Sequence, residues 1–423
     1  MKKVLIITYY WPPAGGPGVQ RWLKFVKYLR DFNIEPVLFI PENPNYPIRD
    51  TAFLKEIPEG IKTVKQTIFE PYQLASFLSS KKTKRISSGI IQTKNQSTLE
   101  KILLWIRGNL FIPDARKYWI KPSVKAITKL LQEENIETII TTGPPHSVHL
   151  IGLALKEKLG ITWLADFRDP WTSIGYHKKL KLTAAAKKRH KFLEKRVLNT
   201  ADTILVTSPT TKKEFEALTS QPITVITNGF DVQENQGNTL DSAFTIVHIG
   251  SLLSGRNPEN LWRILSELIA SNAEFKKVFK LKLIGVVSED VLDTIYAHHL
   301  KPYVELVGYV AHDIALQLQK QSQILLLTEI NAKETQGIIP GKLFEYLAAN
   351  RPILAIGPEN WDVSTILEDT KAGKTFDYTE DIRIKELLLE WFEAYKTSNL
   401  KIASTNIAKY SRRELTRKLA AII

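Results

Sequence analysis

The 423-residue sequence contains no cysteine, so neither a disulfide framework nor thiolate chemistry is available to it; a reducing, cytoplasmic setting fits. No stretch of 18 apolar residues occurs, so no membrane-spanning helix is expected. The eight histidines show no metal-ligand spacing, and no metal site is expected. Acidic residues are scarce in one half only. Residues 1–228 hold 36 Lys and Arg against 19 Asp and Glu, a net +17, whereas residues 229–423 carry a net −3. The opening "MKKVLIITYYW" has the lysines and short apolar run of a signal peptide, but Trp-Pro-Pro-Ala-Gly-Gly follows where small cleavage-site residues would stand. It reads as a first buried strand.

The excess positive charge clusters in "KKTKR" (81–85), "RKYWIK" (116–121) and "HKKLKLTAAAKKRHKFLEKR" (177–196). Such clusters are either solvated faces or attractors of an anionic surface. Lys and Arg interleaved with Trp and Leu suit a membrane interface at least as well as nucleic acid. No zinc finger or RNA-binding aromatic motif accompanies them, so a nucleic-acid partner is not expected.

Short apolar runs recur, each followed by an amphipathic stretch. The first half offers "KVLIIT", "EPVLFI", "TIIT" (138–141), "TWLADF" and "TILVTS"; the second offers "FTIVHIG", "LKLIG", "YVELVG", "ILLLT" and "PILAIG". Continuous apolar strands alternating with helices imply parallel sheets covered on both faces. The pattern breaks over about 71–125, a polar and basic insertion, and restarts near residue 244 after a Gly/Asn/Asp-rich linker. Two Rossmann-like α/β domains follow, 1–228 and 244–385, with a hinge near 228–243. The helices of 386–423 are expected to cross back onto the first domain.

Three glycines, Gly15, Gly16 and Gly18, lie between the first strand and the first helix, without the G-x-G-x-x-G spacing. With Glu42 after the second strand they leave a dinucleotide-dependent dehydrogenase as one alternative. The narrower expectation is that these glycines let a ligand approach the backbone, and that the helix starting near Val19 offers free N–H groups to an anion. In the second half, "GSLLSGRNPENL" places Arg256 on the loop after a strand, beside Gly250 and Gly255. "TQGIIPGKLFEYLAANRPILAIG" puts Lys342 in a first helical turn and Glu345 three residues on. An ammonium and free N–H groups at a helix start make a diphosphate site. A carboxylate one turn deeper can accept hydrogen bonds from ribose hydroxyls. Alone, Lys342 and Glu345 would read as a helix-surface ion pair; beside Arg256 and the glycine-rich bend they read as a site.

These segments resemble the GT-B glycosyltransferases, family 4 and its relatives. The resemblance rests on "VITNGFD" (225–231), "IVHIGSLLSGRNPENL", "VELVGYV" (304–310) and "GKLFEYLAANRPILAIG" (341–357). In the first half it rests on the glycine loop, "TTGPPHSVHLIG" (141–152) and "ADFRDPW" (165–171). It implies two Rossmann-like domains facing a cleft and a retaining, metal-independent transferase that uses a nucleoside-diphosphate sugar. No cofactor is implied. Arg256 and Lys342 would neutralise the diphosphate and Glu345 would bind ribose. Backbone near Gly250 and from Ile338 to Gly341 would hold base and phosphates, and Gly15 and Gly16 would approach from the other side. His146 would contact the sugar or its diphosphate. Gly18, Arg168 and Asp169 are acceptor-side candidates.

The sequence departs from the family at one place. Where the family often has a first glutamate seven residues ahead of the one corresponding to Glu345, this chain has Gly337; Glu329 and Glu334 are nearby but out of register. The expected acceptor is a glycan or lipid-linked molecule of cell-surface polysaccharide synthesis, with peripheral contact to an anionic membrane. The alternatives are a nucleotide-sugar 2-epimerase-like enzyme and a basic nucleic-acid-binding module.

Overall fold

A computed structural model describes residues 1–71, 98–178, 180–231 and 239–423. The cluster "KKTKR", much of the insertion and residues 232–238 of the expected hinge lie outside them. The chain forms two compact units, Met1–Asn228 with Arg412–Ile423, and Gly229–Ser411.

The first unit is built on seven strands: β1 (Lys2–Thr8), β2 (Ile34–Pro41), β3 (Thr63–Gln66), β4 (Thr138–Gly143), β5 (Thr162–Phe167), β6 (Thr203–Val206) and β7 (Ile223–Val225). They are ordered β3-β2-β1-β4-β5-β6-β7, and every neighbouring pair is parallel. The second unit has β8 (Phe244–Ile249), β9 (Phe279–Ile284), β10 (Val304–Gly308), β11 (Ile324–Thr328), β12 (Ile353–Ile356) and β13 (Gly373–Phe376), again all parallel, ordered β10-β9-β8-β11-β12-β13. Both sheets reverse direction of winding beside their first strand, at β1/β4 and at β8/β11. In doubly wound sheets the crevice outside the carboxyl ends of the strands at that point receives ligands.

The apolar runs become central strands because both sheet faces are covered by helices: β8 and β11 are buried throughout. The edge strands β3 ("TVKQ") and β13 ("GKTF") were not foreseen. β3 has no fully buried residue and β13 only Phe376, so no continuous apolar run was needed there.

Two boundaries differ from the sequence reading. The helix Ile120–Glu134 begins inside the expected insertion, because Ile127, Leu130 and Leu131 belong to the first core. The helix Asp381–Lys396 belongs to the second unit. Its Phe392 ring packs 5.3 Å from Phe244 and 5.1 Å from Phe275. Only the helix Arg412–Ala420 joins the first unit, where Leu415 and Leu419 enter the core and Arg412 donates to Gln20.

A buried network ties the helix Pro17–Leu29 to the first sheet. Asp166, at the end of β5, accepts from Arg21 Nη2 (2.9 Å), Trp22 Nε1 (2.7 Å) and Thr142 Oγ1 (2.8 Å), while Arg21 Nη1 reaches the Thr227 carbonyl (2.8 Å). The Arg21 guanidinium and these donors hold the Asp166 carboxyl below its usual range despite burial. No helix among the described residues is long and apolar enough to cross a membrane.

Candidate functional site

In the second unit the site residues gather at the carboxyl ends of β8 and β11. Gly250 and Gly285 directly follow β8 and β9 with φ 113 and 114, and Gly308 ends β10 with φ 77. Side chains are strained in that region, so glycine alone turns all three strand ends easily. A Cβ on Gly285 would collide with the Gly250 carbonyl oxygen at 2.6 Å. Gly250 faces Lys342: a Cβ there would stand 2.8 Å from Lys342 Nζ.

Lys342 opens the helix Lys342–Ala349. Four residues on, Tyr346 is fully buried and its hydroxyl accepts from the Ile249 N–H at 3.1 Å, which fixes the helix start against β8. The Leu343 and Phe344 N–H groups donate back to the Pro340 and Gly341 carbonyls at 3.0 and 3.2 Å, so the helix start offers the positive end of its dipole more than free donors. Lys342 makes no ion pair among the described residues; its Nζ donates to His248 Nε2 at 3.3 Å. Burial, and then the Arg256 charge, pull its pKa down to about 8. Glu345 is not its partner. The Glu345 carboxylate bonds His312 Nε2 at 3.1 Å and Gln319 Nε2 at 3.1 Å.

Arg256 stands at the same sheet edge, but not as a free cation. Its Nε and Nη2 donate to the two carboxylate oxygens of Glu329 at 2.9 and 3.1 Å, and Glu329 is fully buried. Glu329 also accepts from the Ile330 N–H at 2.8 Å. Such a bidentate pair is nearly neutral as a unit. Of the two expected cations, the guanidinium is therefore compensated by a carboxylate and the ammonium has none among the described residues. Ile338 is corrected too. Its N–H donates to Thr335 O at 2.9 Å and its carbonyl accepts from Trp361 Nε1 at 2.6 Å, so its backbone is already used. Gly341, just ahead of the helix, remains beside Lys342.

In the first unit the glycines divide. Gly16 has φ 100 and open space around it. Gly15 does not face a ligand: its N–H donates to Ile48 O at 3.0 Å, and a Cβ would meet Ile48 Cγ2 at 2.9 Å. Gly18 is bare because Arg168 Nη1 occupies the place a Cβ would take. Arg168 itself is a strut. Its Nε donates to the Gly143 carbonyl at 3.2 Å, its Nη2 donates to the Pro144 carbonyl, and its plane lies over Tyr10. Asp169 is different. Its carboxylate has no hydrogen bond or ion pair among the described residues, and burial raises its pKa.

Asp169 lines a cavity of about 320 Å³ with Tyr10, Arg107, Pro145, His146 and Trp171. His146 is 4% exposed and stacks flat on Trp171, centroids 4.8 Å apart and planes at 1°. Neither ring nitrogen has a hydrogen-bond partner among the described residues. His146 precedes the helix Ser147–Leu159, and its place as cap is taken by Asp114, which accepts from Ser147 N–H (2.8 Å) and Oγ (2.7 Å). Asp114 stands 33 positions earlier and has no local signature. His149, His177 and His190 complete the wall around Phe167 and Trp171. Among the described residues, no group of three or more His, Cys, Asp or Glu could hold a metal ion.

Residues 92–234 match the model of Glycosyltransferase Family 4, about a third of the chain. No curated protein matches in sequence. Three solved structures place the architecture. Staphylococcus aureus TarM, bound to Fondaparinux, alpha-GlcNAc-glycerol and UDP, superposes with a TM-score of 0.60 at 12% identity, covering 100% of this chain and 99% of that one. Anabaena HepE in complex with UDP-glucose gives 0.55 at 13%, covering 100% and 95%. A putative UDP-N-acetylglucosamine 2-epimerase from Listeria monocytogenes gives 0.54 at 12%, covering 100% and 95%.

The fold is that of the GT-B glycosyltransferases. The family 4 match falls on the first unit of this GT-B chain, across the segment from the helix Thr98–Leu110 to β7. The similarity to an epimerase shows that the fold alone does not separate transfer from epimerisation.

The histidine wall makes a prediction. Burial holds His149 down to about 3 and His177 to about 4, so both are neutral when folded and protonate more readily when unfolded. Their stabilising contribution is present above the unfolded pKa of roughly 6.5 and is lost as pH falls, at about 1.4 kcal/mol per pH unit for each. Urea unfolding at pH 7 and pH 5 should show the first unit losing roughly 4 kcal/mol; equal stability at both would contradict the burial of these rings.

Proposed function

We propose that this protein is a retaining glycosyltransferase that moves a sugar from a nucleoside-diphosphate sugar to a glycan or lipid-linked acceptor. The observation that carries the proposal is Lys342, a half-buried ammonium with no carboxylate in contact among the described residues, at a helix N-terminus beside a bare glycine. That is an anion site with its counter-charge missing. The donor diphosphate supplies that charge. Glu345, one helical turn on and bonded to His312 and Gln319, is the carboxylate this reading assigns to the ribose hydroxyls. Arg256, held rigid by Glu329, adds direction more than net charge.

No covalent enzyme intermediate is invoked. The bond from the anomeric carbon to the diphosphate oxygen breaks, the acceptor oxygen bonds that carbon on the same face, and the acceptor proton passes to the leaving phosphate. Lys342 and the helix start stabilise the charge that develops on leaving, and the site supplies position. In the first unit, His146 and the free Asp169 carboxylate line the cavity that suits acceptor hydroxyls. UDP and UDP-glucose in the TarM and HepE structures support a uridine nucleotide as the first donor to try.

The activity assay follows release of nucleoside diphosphate and the anomeric configuration of the product. Retained configuration is expected, unaffected by a metal chelator, and Lys342→Ala should lower turnover about 100-fold or more with its fold intact. Inverted product contradicts retention, full turnover in the variant removes the phosphate assignment, and an epimerised nucleotide sugar without acceptor selects the other enzyme class.

Contact with an anionic membrane belongs to the same proposal. The helix Thr98–Leu110 exposes Ile102, Trp105 and Leu110, and the helix Ala184–Thr200 on which it packs exposes Phe192. Lys188, Arg189, Lys191 and Lys195 surround that ring in sequence. Apolar anchors flanked by cations suit an anionic interface. The protein should sediment with anionic and not with neutral vesicles; equal binding to both would contradict the electrostatic part.

A further inference from the structure

Lys342 has one hydrogen-bond partner among the described residues, and it is a base, not an acid. His248 lies buried near the end of β8, with Nε2 at 3.3 Å from Lys342 Nζ and Nδ1 at 3.1 Å from the Leu326 carbonyl oxygen of β11. A carbonyl only accepts, so the Leu326 contact favours the ring proton on Nδ1 and a lone pair on Nε2 toward the ammonium, with the Ser251 carbonyl a second backbone neighbour of the ring. The pairing of β8 with β11 therefore sets which nitrogen faces the ammonium. Burial and the adjacent Lys342 charge keep the ring neutral. On its other side the lysine stem runs over Gly250, where a Cβ would come within 3.3 Å of Cε. The remaining charged groups near the ammonium are already engaged: Arg256 with Glu329, and Glu345 with His312 and Gln319.

A lysine ends a flexible four-carbon stem, and its ammonium is a point charge with three donors. A carboxylate at the position of His248 would hold it in place but cancel the charge. A neutral imidazole holds it in place and leaves the charge uncompensated. We propose that His248 is a positioning residue of the donor site, whose Nε2 lone pair fixes the Lys342 ammonium over Gly250 with its other donors turned to the diphosphate. This rests on the reading of Lys342 as a diphosphate ligand. It places the ordering of the lysine stem in folding, so that binding does not have to supply it.

Two substitutions split the two ring nitrogens. His248→Asn keeps a donor near Nδ1 for Leu326 and cannot reach Lys342; His248→Gln puts an acceptor near Nε2. Calorimetry on the full-length protein compares UDP with uridine. His248→Asn should weaken UDP about tenfold and leave uridine unchanged, while His248→Gln stays within about threefold of wild type for both. The double variant His248→Asn/Lys342→Ala should bind UDP no more weakly than Lys342→Ala alone. If His248→Asn binds UDP like wild type while Lys342→Ala does not, the positioning role is overturned and the donor site stands. If Asn and Gln lose UDP and uridine equally, the histidine is structural and the role is likewise overturned. If Lys342→Ala binds UDP like wild type, the donor reading itself fails.

Discussion

A half-buried cation without an ion-pair partner among the described residues is the constraint on which the second unit is arranged. Burial already costs the Lys342 ammonium part of its charge stability, as its pKa of about 8 records. The helix start and Arg256 raise the local positive potential further. A fold optimised only for stability would place a carboxylate there. Instead Glu329 is spent on Arg256 and Glu345 on His312 and Gln319, and Lys342 is left with an imidazole. Gly250 follows from the same requirement, because a Cβ there would stand 2.8 Å from Lys342 Nζ, and Gly285 in turn makes room for the Gly250 carbonyl.

The first unit solves a different problem. Its cavity wall is made from aromatic rings and neutral histidines, with Trp171 flat on His146, and from a carboxylate, Asp169, without a hydrogen-bond partner among the described residues. Buried polar groups without partners are costly. The unpaired nitrogens of His146 and the free Asp169 concentrate that cost at the carboxyl ends of β4 and β5, beside the winding reversal where ligands of doubly wound sheets bind. Below them Asp166 with Arg21, Trp22 and Thr142 makes a fully bonded buried network, so unsatisfied chemistry sits directly on a satisfied support.

The central strands and the two-unit plan were legible because buried parallel strands must be apolar throughout. β3 and β13 were not, since these two edge strands carry no such run. Lys342 and Glu345 were legible because helix start and spacing are local. What those residues touch was not: Glu329 lies 73 positions from Arg256, and His248 reads as an ordinary core residue inside "FTIVHIG". The glycine loop misled in a specific way. Gly15 and Gly18 are bare for the sake of Ile48 and Arg168, distant in sequence, and only Gly16 keeps open space. Arg168 and Asp169 are neighbours with opposite fates, one bonded to backbone carbonyls and one unpartnered, a distinction that depends on which way each points from the end of β5.

The central claim is that an anion is missing at Lys342, and ligand-linked stability measures it most directly. Thermal unfolding would be followed with UDP, GDP, ADP and NAD, each against its matching nucleoside. A ligand at 100 times its dissociation constant adds about 2.7 kcal/mol, a shift of several degrees. The account predicts a shift with a nucleoside diphosphate, little with its nucleoside, and loss of the difference in Lys342→Ala. A shift with NAD alone, or equal shifts with nucleoside and diphosphate, would contradict it.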